Sequence, residues 1–106
     1  MSATPELTAA ADTLESLARA AEQDLATADY WKGYNPATAW RDGLTNGMGG
    51  TSGDLAGALP PGAVLELARW LRAEARQESY SLAEFGHRSA SPHAVALARA
   101  INGSQP

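Results

Sequence analysis

Cysteine is absent from the 106 residues, which excludes disulfides, thiolate metal sites and a cysteine nucleophile together. Val and Ile number three between them, too few of the β-branched residues that strands favour, so a sheet-based fold is not expected. No apolar run reaches the roughly eighteen residues of a membrane span. No basic stretch followed by an apolar run marks a secretory signal, so a cytoplasmic location is expected. Lysine is nearly missing, with one Lys against seven Arg, and histidine occurs only at His87 and His93. Large apolar side chains are scarce as well: of 47 apolar residues 23 are Ala, leaving 24 to fill a core. What remains is one domain's length of chain. The expected fold is all-α, a small helical bundle of four to five helices with a long glycine-rich loop.

The net charge is −4, and it is uneven. Residues 1–54 carry 3 basic and 8 acidic side chains, and residues 55–106 carry 5 basic and 4 acidic. Non-specific nucleic-acid binding draws most of its affinity from phosphate neutralisation, so a chain without a basic field is poorly equipped for it. A basic face in the second half stays open.

Residues 5–28 form the clearest helix. Thr4 suits the N-cap, and Pro5 the first helical position, where a missing N–H costs nothing. Leu7, Ala11, Leu14, Ala18, Ala21, Leu25 and Ala28 then recur at alternating spacings of four and three, one helical face. A stripe this rich in Ala needs a neighbouring helix, and the Pro61–Ser79 helix, packed antiparallel, is the expected one. Asn35-Pro36 reads as cap and first turn of a short helix over 36–43. From Gly43 to Gly62 the chain holds seven Gly and two Pro in twenty residues, which predicts a long loop with one weak turn around 54–58.

A second strong helix is predicted over 61–79, with Val64, Leu67, Ala68, Leu71 and Ala75 inward. Arg69, Arg72 and Arg76 lie beside that face, while Glu66, Glu74, Glu78 and Trp70 lie on the other side. Ser81-Leu82-Ala83-Glu84 has capping-box spacing, so a separate short helix is predicted over 82–86, closed by Gly86. Ser91-Pro92 opens the last helix, over 92–101. Asn102-Gly103 predicts a left-handed exit from it.

Few constellations carry chemistry. Asn46–Gly53 is glycine-rich, but no Lys-Ser or Lys-Thr follows at the phosphate-loop offset, so a connector is the simpler reading. His87 and His93 do not share a helical face and lack a third ligand, so no metal or other cofactor is expected. No nucleophile elbow or comparable motif is present, and the chain is read as not an enzyme. Tyr30, Trp31, Tyr34 and Trp40 crowd four of the seven aromatics into eleven positions. They either plug the junction after the first helix or offer a protein-binding platform, since Tyr and Trp join large apolar area to a polar edge. Trp70 stands off the apolar stripe of its helix, where it either packs under the glycine-rich loop or is a candidate contact for a partner. The row Arg69, Arg72, Arg76 can grip an acidic surface or simply be solvated, with Glu66 beside Arg69.

Three resemblances bear on function. Leu82-Ala83-Glu84-Phe85, a turn, then Ser91-Pro92-His93-Ala94-Val95 is similar to the helix-turn-helix of many bacterial DNA-binding domains. It departs by the break at Gly86, by His87 where a turn glycine usually falls, and by a turn one residue short. That likeness implies a small regulator contacting DNA through Arg88, His93 and Arg99. Trp31-Lys32-Gly33 after a first helix, with Tyr80 four residues before Glu84, resembles the Trp-x-Gly family of small secreted helical hairpins. Residues 43–62 break the second helix that family requires. More of the chain, residues 65–75 and 91–101, resembles short Ala-rich proteins of actinobacteria and their phages, in keeping with the Arg, Ala and Gly bias. That likeness implies a helical fold and no particular activity.

The sequence is therefore read as a non-catalytic protein-protein interaction module. It is expected to meet a protein partner or a second copy of itself, with nucleic acid not favoured and no membrane. The alternatives are a helix-turn-helix regulator using residues 82–101 and a secreted helical hairpin.

Overall fold

The structure, a computed structural model, describes residues 2–106. They form five α-helices, a single 3-10 turn and no strand: α1 (Thr4–Thr27), the turn Asp29–Trp31, α2 (Ala39–Met48), α3 (Gly50–Gly57), α4 (Pro61–Phe85) and α5 (Pro92–Gly103). The chain is all-α. Its contacts divide it into two units, one of residues up to Ser16 with Leu65–Pro106, the other of Leu17–Val64. Both α1 and α4 contribute residues to each.

The first unit has an Ala-rich core. Ala3, Leu7, Ala10 and Ala11 from the start of α1, Leu71 and Ala75 from α4, and Ala94, Val95 and Ala98 from α5 are buried together. Leu14, Ala90, Leu97 and Ile101 pack around them. With so many side chains ending at Cβ, little area is buried per residue. Polar contacts reinforce the packing. Ala3 N–H bonds to Glu78, and Arg72 of α4 reaches Asp12 at 2.9 Å and Glu15 at 3.6 Å on α1, so the two segments run antiparallel here. Arg99 of α5 grips Glu6 at 2.6 Å, and Asn102 Nδ2 donates to the Glu6 carbonyl.

The second unit is built around close approach. The expected loop over 43–62 is instead mostly helical, occupied by the end of α2 and all of α3. Its glycines are contact points between helices. A Cβ on Gly53 would meet the Leu44 carbonyl oxygen at 3.0 Å, and one on Gly57 would meet the Arg41 Cα at 3.2 Å. Four residues apart, the two glycines share one face of α3 and let the helices touch backbone to backbone. Composition alone reads such glycines as breakers because their helical cost is intrinsic, whereas the compensating contact is tertiary. The corner between α2 and α3 falls at Gly49, whose φ of 73° is the left-handed geometry glycine adopts without strain.

Three further boundaries differ from expectation. Asn35 and Pro36 belong to a turn, with Asn35 Oδ1 accepting the Ala37 N–H, and α2 begins at Ala39. The predicted helices over 61–79 and 82–86 are one helix, α4. Ser81 is buried within it, beside Gln77, so the capping-box spacing is incidental. α5 ends without a left-handed residue: Ser104 stays right-handed, and Asn102 is drawn to α1.

Candidate functional site

The aromatic residues after α1 are turned inward. Trp31 is buried and stacks on Trp40, with ring centroids 5.7 Å apart and planes 16° apart. Tyr30 meets Trp31 edge-on at 5.0 Å, and Tyr34 lies 6.3 Å from it. Their polar ends are also occupied. Trp31 Nε1 donates to Asp24 at 2.9 Å, Trp40 Nε1 to the Ala56 carbonyl at 3.1 Å, and the Tyr30 hydroxyl to the Gly43 carbonyl. Tyr34 accepts from Asn46 at 2.9 Å. Gly43 leaves room for the indole, since a Cβ there would collide with Trp31 Cζ3. This cluster is the core of the second unit, and Tyr30, about half exposed, is its outermost member.

The arginine row does not act as one surface. Arg69 pairs with Glu66 on its own helix, and Arg72 is committed to Asp12 and Glu15. Arg76 has no ion pair among the described residues and lines an open groove with Thr4, Thr8, Arg72 and Ser79.

Of the residues of the DNA-binding alternative, Arg88 and Arg99 are engaged with carboxylates. Arg99 holds the Glu6 carboxylate; that contact lowers the Glu6 pKa against a smaller opposing effect of burial, and raises that of Arg99. Arg88 reaches Glu78 at 3.4 Å, and His93 is exposed at the start of α5. The first helix of the expected helix-turn-helix is the last part of a 25-residue helix. α5 turns Ala94, Val95 and Ala98 into the core and leaves His93, Ala96, Arg99 and Ala100 outside.

Glu78, assigned to the solvent side by its helical position, is fully buried. Its carboxylate accepts the N–H groups of Ala3, Ser89 and Ala90 at 2.8–3.0 Å. Burial pushes its pKa up, but these three donors and the Arg88 guanidinium outweigh that and hold it at about 2. One turn earlier, Glu74 accepts the Ser91 N–H at 3.0 Å. Ser91 Oγ in turn caps α5 at His93 and Ala94. Two carboxylates at i, i+4 thus hold the connection between α4 and α5. The helical wheel put them on one side of α4, but the fold-back of residues 86–91 that covers them is absent from the wheel.

The outward face of α4 is what remains. Glu66, Trp70, Ala73, Gln77, Tyr80 and Glu84 are all exposed. At 100° per residue they fall within an arc of about 80°. Trp70 is 38% exposed and Tyr80 56%, and the pair is separated by about 15 Å along the helix axis. At the end of α4, Phe85 is 62% exposed, edge-on to Tyr80 at 5.9 Å and stacked on His87 at 6.0 Å. Trp70 was legible in the sequence. Tyr80 and Phe85 were not, because ending the helix at residue 79 removed them from its face.

A groove of about 690 Å³ lies in the second unit among Arg41, Asp42, Thr45, Asn46, Asp54 and Ala58. Thr38 donates to Asp42 and lowers its pKa against partial burial, and Arg41 adds to the effect. No group of three His, Asp or Glu side chains among the described residues is arranged to hold a metal ion, and no helix there is long and apolar enough to cross a membrane. No protein family, curated protein or solved structure matches the chain.

Proposed function

We propose that the protein is a non-catalytic interaction module that binds another protein through the outward face of α4. The observation that carries this reading is the contrast between its tryptophans. Trp31 and Trp40 are stacked and hydrogen-bonded internally, whereas Trp70 stands exposed on a helical face with Tyr80 further along it. Large aromatic side chains presented on a rigid helix are the residue types that dominate binding energy at protein interfaces. An α-helical face also offers no unsatisfied backbone groups, so recognition falls to its side chains. DNA contact through Arg88 and Arg99 is the weaker reading, because both cations are already shared with carboxylates. The Arg, Ala and Gly bias further points to an accessory protein of an actinobacterium or one of its phages.

The test is affinity capture from a high-GC actinobacterial lysate, with and without nuclease. Retention of a protein that survives nuclease and is lost with Trp70→Ala supports the reading. Retention of nucleic acid, with every accompanying protein lost on nuclease treatment, overturns it in favour of a DNA-binding regulator.

A further inference from the structure

Arg72 and Arg76 stand one turn apart on the flank of α4 that meets α1, and only one of them is neutralised. Arg72 finds Asp12 across the helix pair at 2.9 Å and Glu15 at 3.6 Å. The helices run antiparallel here, so one turn further along α4 corresponds to one turn back along α1. At that level the α1 residue is Thr8, and another turn back it is Thr4. Neither can balance a cation. The residues three and four positions from Arg76 on α4 are Arg72, Ala73, Ser79 and Tyr80, none of them acidic. Arg76 is thus left without a counter-charge, one turn from a cation that has two.

The space before it is a groove of about 300 Å³, lined by Thr4, Thr8, Arg72, Arg76 and Ser79 over Ala75. Every polar side chain in that lining can donate a hydrogen bond, and the guanidinium groups can do nothing else. Thr4 Oγ1 accepts from Ser2 Oγ at 2.8 Å, which leaves its own proton for a ligand. Donors on both walls and one unbalanced positive charge call for an anion rich in acceptors. A carboxylate presents two oxygens in one plane, and a single guanidinium fork occupies both. A phosphate group presents three strong acceptor oxygens and nearly two charges, enough to meet the Arg76 fork and the hydroxyls of the facing helix together. The groove volume lies at the lower end of the range for small-molecule sites.

We propose that this groove binds a phosphate group, free or carried by a small molecule, with Arg76 as its principal charge and Thr4, Thr8 and Ser79 as hydroxyl donors. Arg72 borders the site but stays with Asp12 and Glu15, whose charges confine the anion to the Thr4–Ser79 end. The site lies on the α1 side of α4 and is independent of the docking reading of its outward face.

Nuclear magnetic resonance titration of the ¹⁵N-labelled protein tests it, with inorganic phosphate, glycerol phosphate and acetate added in turn at an ionic strength held constant by chloride. Both phosphates are expected to give saturable shifts centred on Thr4, Thr8, Arg76 and Ser79, with dissociation constants on the order of 1 mM. The tighter of the two identifies the source of the group, and acetate is expected to leave these signals in place. Arg76→Gln, an exposed change, weakens phosphate binding by about tenfold or more. Thr8→Asp supplies the missing carboxylate, pairs Arg76 internally and abolishes binding, while far-UV circular dichroism confirms that each variant is folded. Shifts that fail to saturate, that acetate reproduces, or that survive Thr8→Asp in a folded protein overturn the proposal and leave Arg76 a solvated cation. Should Thr8→Asp not fold, Arg76→Gln decides alone, and undiminished phosphate binding by it overturns the site.

Discussion

Replacing Glu78 by Gln is the most informative single perturbation of the first unit. With the native pKa held at about 2 against an ordinary 4.5, ionised Glu78 contributes about 3 kcal/mol to stability at neutral pH. The native value is depressed, so this contribution is fully present above the unfolded pKa and is lost as pH falls from about 5 towards 2. By pH 3 roughly 2 kcal/mol of it is gone. Gln cannot ionise, and its amide can satisfy only part of the site, because its NH₂ group meets the N–H donors of Ala3, Ser89 and Ala90. Other depressed carboxylates, Glu6 and Asp42 among them, titrate in both proteins and cancel in the comparison. Urea unfolding followed by circular dichroism at pH 7, 5, 4 and 3 gives the gap between wild type and Glu78→Gln. It is expected to narrow by about 2 kcal/mol across that range. A gap constant to within about 0.5 kcal/mol, when the linkage requires four times that, would refute the assignment of Glu78 as an ionised clasp. Glu78→Ala, which leaves the buried Ala3 N–H and the part-buried N–H groups of Ser89 and Ala90 without their acceptor, is expected to cost about 2–4 kcal/mol at pH 7.

Other outcomes follow from the same geometry. Gly43→Ala gains helix propensity but drives a methyl into the Trp31 indole, so it is expected to destabilise by about 1–3 kcal/mol. Gly62→Ala, with open space at its Cβ, should stabilise by up to about 1 kcal/mol; thermal melts of the two variants must move in opposite directions. Ser91→Ala removes the cap of α5 and is expected to cost about 1 kcal/mol, read by chemical denaturation. Arg72→Ala breaks the pairs to Asp12 and Glu15, whose side chains are 63% and 46% exposed. Its cost of about 0.5–1 kcal/mol should shrink in high salt.

The all-α class and the burial of Leu7, Ala11 and Leu71 were legible because helical periodicity is a local signal that survives in a single sequence. The glycine-rich stretch was misread for the opposite reason. Nothing within residues 43–62 announces that Gly53 and Gly57 will meet the backbone of Leu44 and Arg41, and a local rule counts each glycine only as a cost. Glu78 was misplaced in the same way, since its burial depends on Ala3, 75 residues away in sequence, and on a connector beyond its own helix. At the candidate face, Trp70 stood out by breaking the apolar stripe. Tyr80 needed the correct helix end, which the capping-box pattern at Ser81–Glu84 obscured. Arg72 reads in sequence as part of a row that can grip an acidic surface or be solvated, and Arg88 and Arg99 as candidate DNA contacts; each proves to be matched to a carboxylate distant in sequence or on another helix.

The division of the chain has a consequence for the order in which it assembles. The second unit is one uninterrupted stretch, Leu17–Val64, so every partner it needs is available once that stretch has been synthesised. The first unit is completed by Ser89, Ala90 and Arg99 acting on Glu78 and Glu6, which lie on both sides of the stretch. The residues up to Ser16 therefore find these partners only after Leu17–Val64 has been made. Joining them directly would close a loop of about fifty residues, and the entropy of that closure grows with the length left flexible. A second unit already folded shortens the flexible path between those segments and so lowers the entropy lost in joining them. Substitutions that disturb the Trp31–Gly43 contact are then expected to slow folding of the whole protein, whereas those at Glu78 chiefly speed its unfolding.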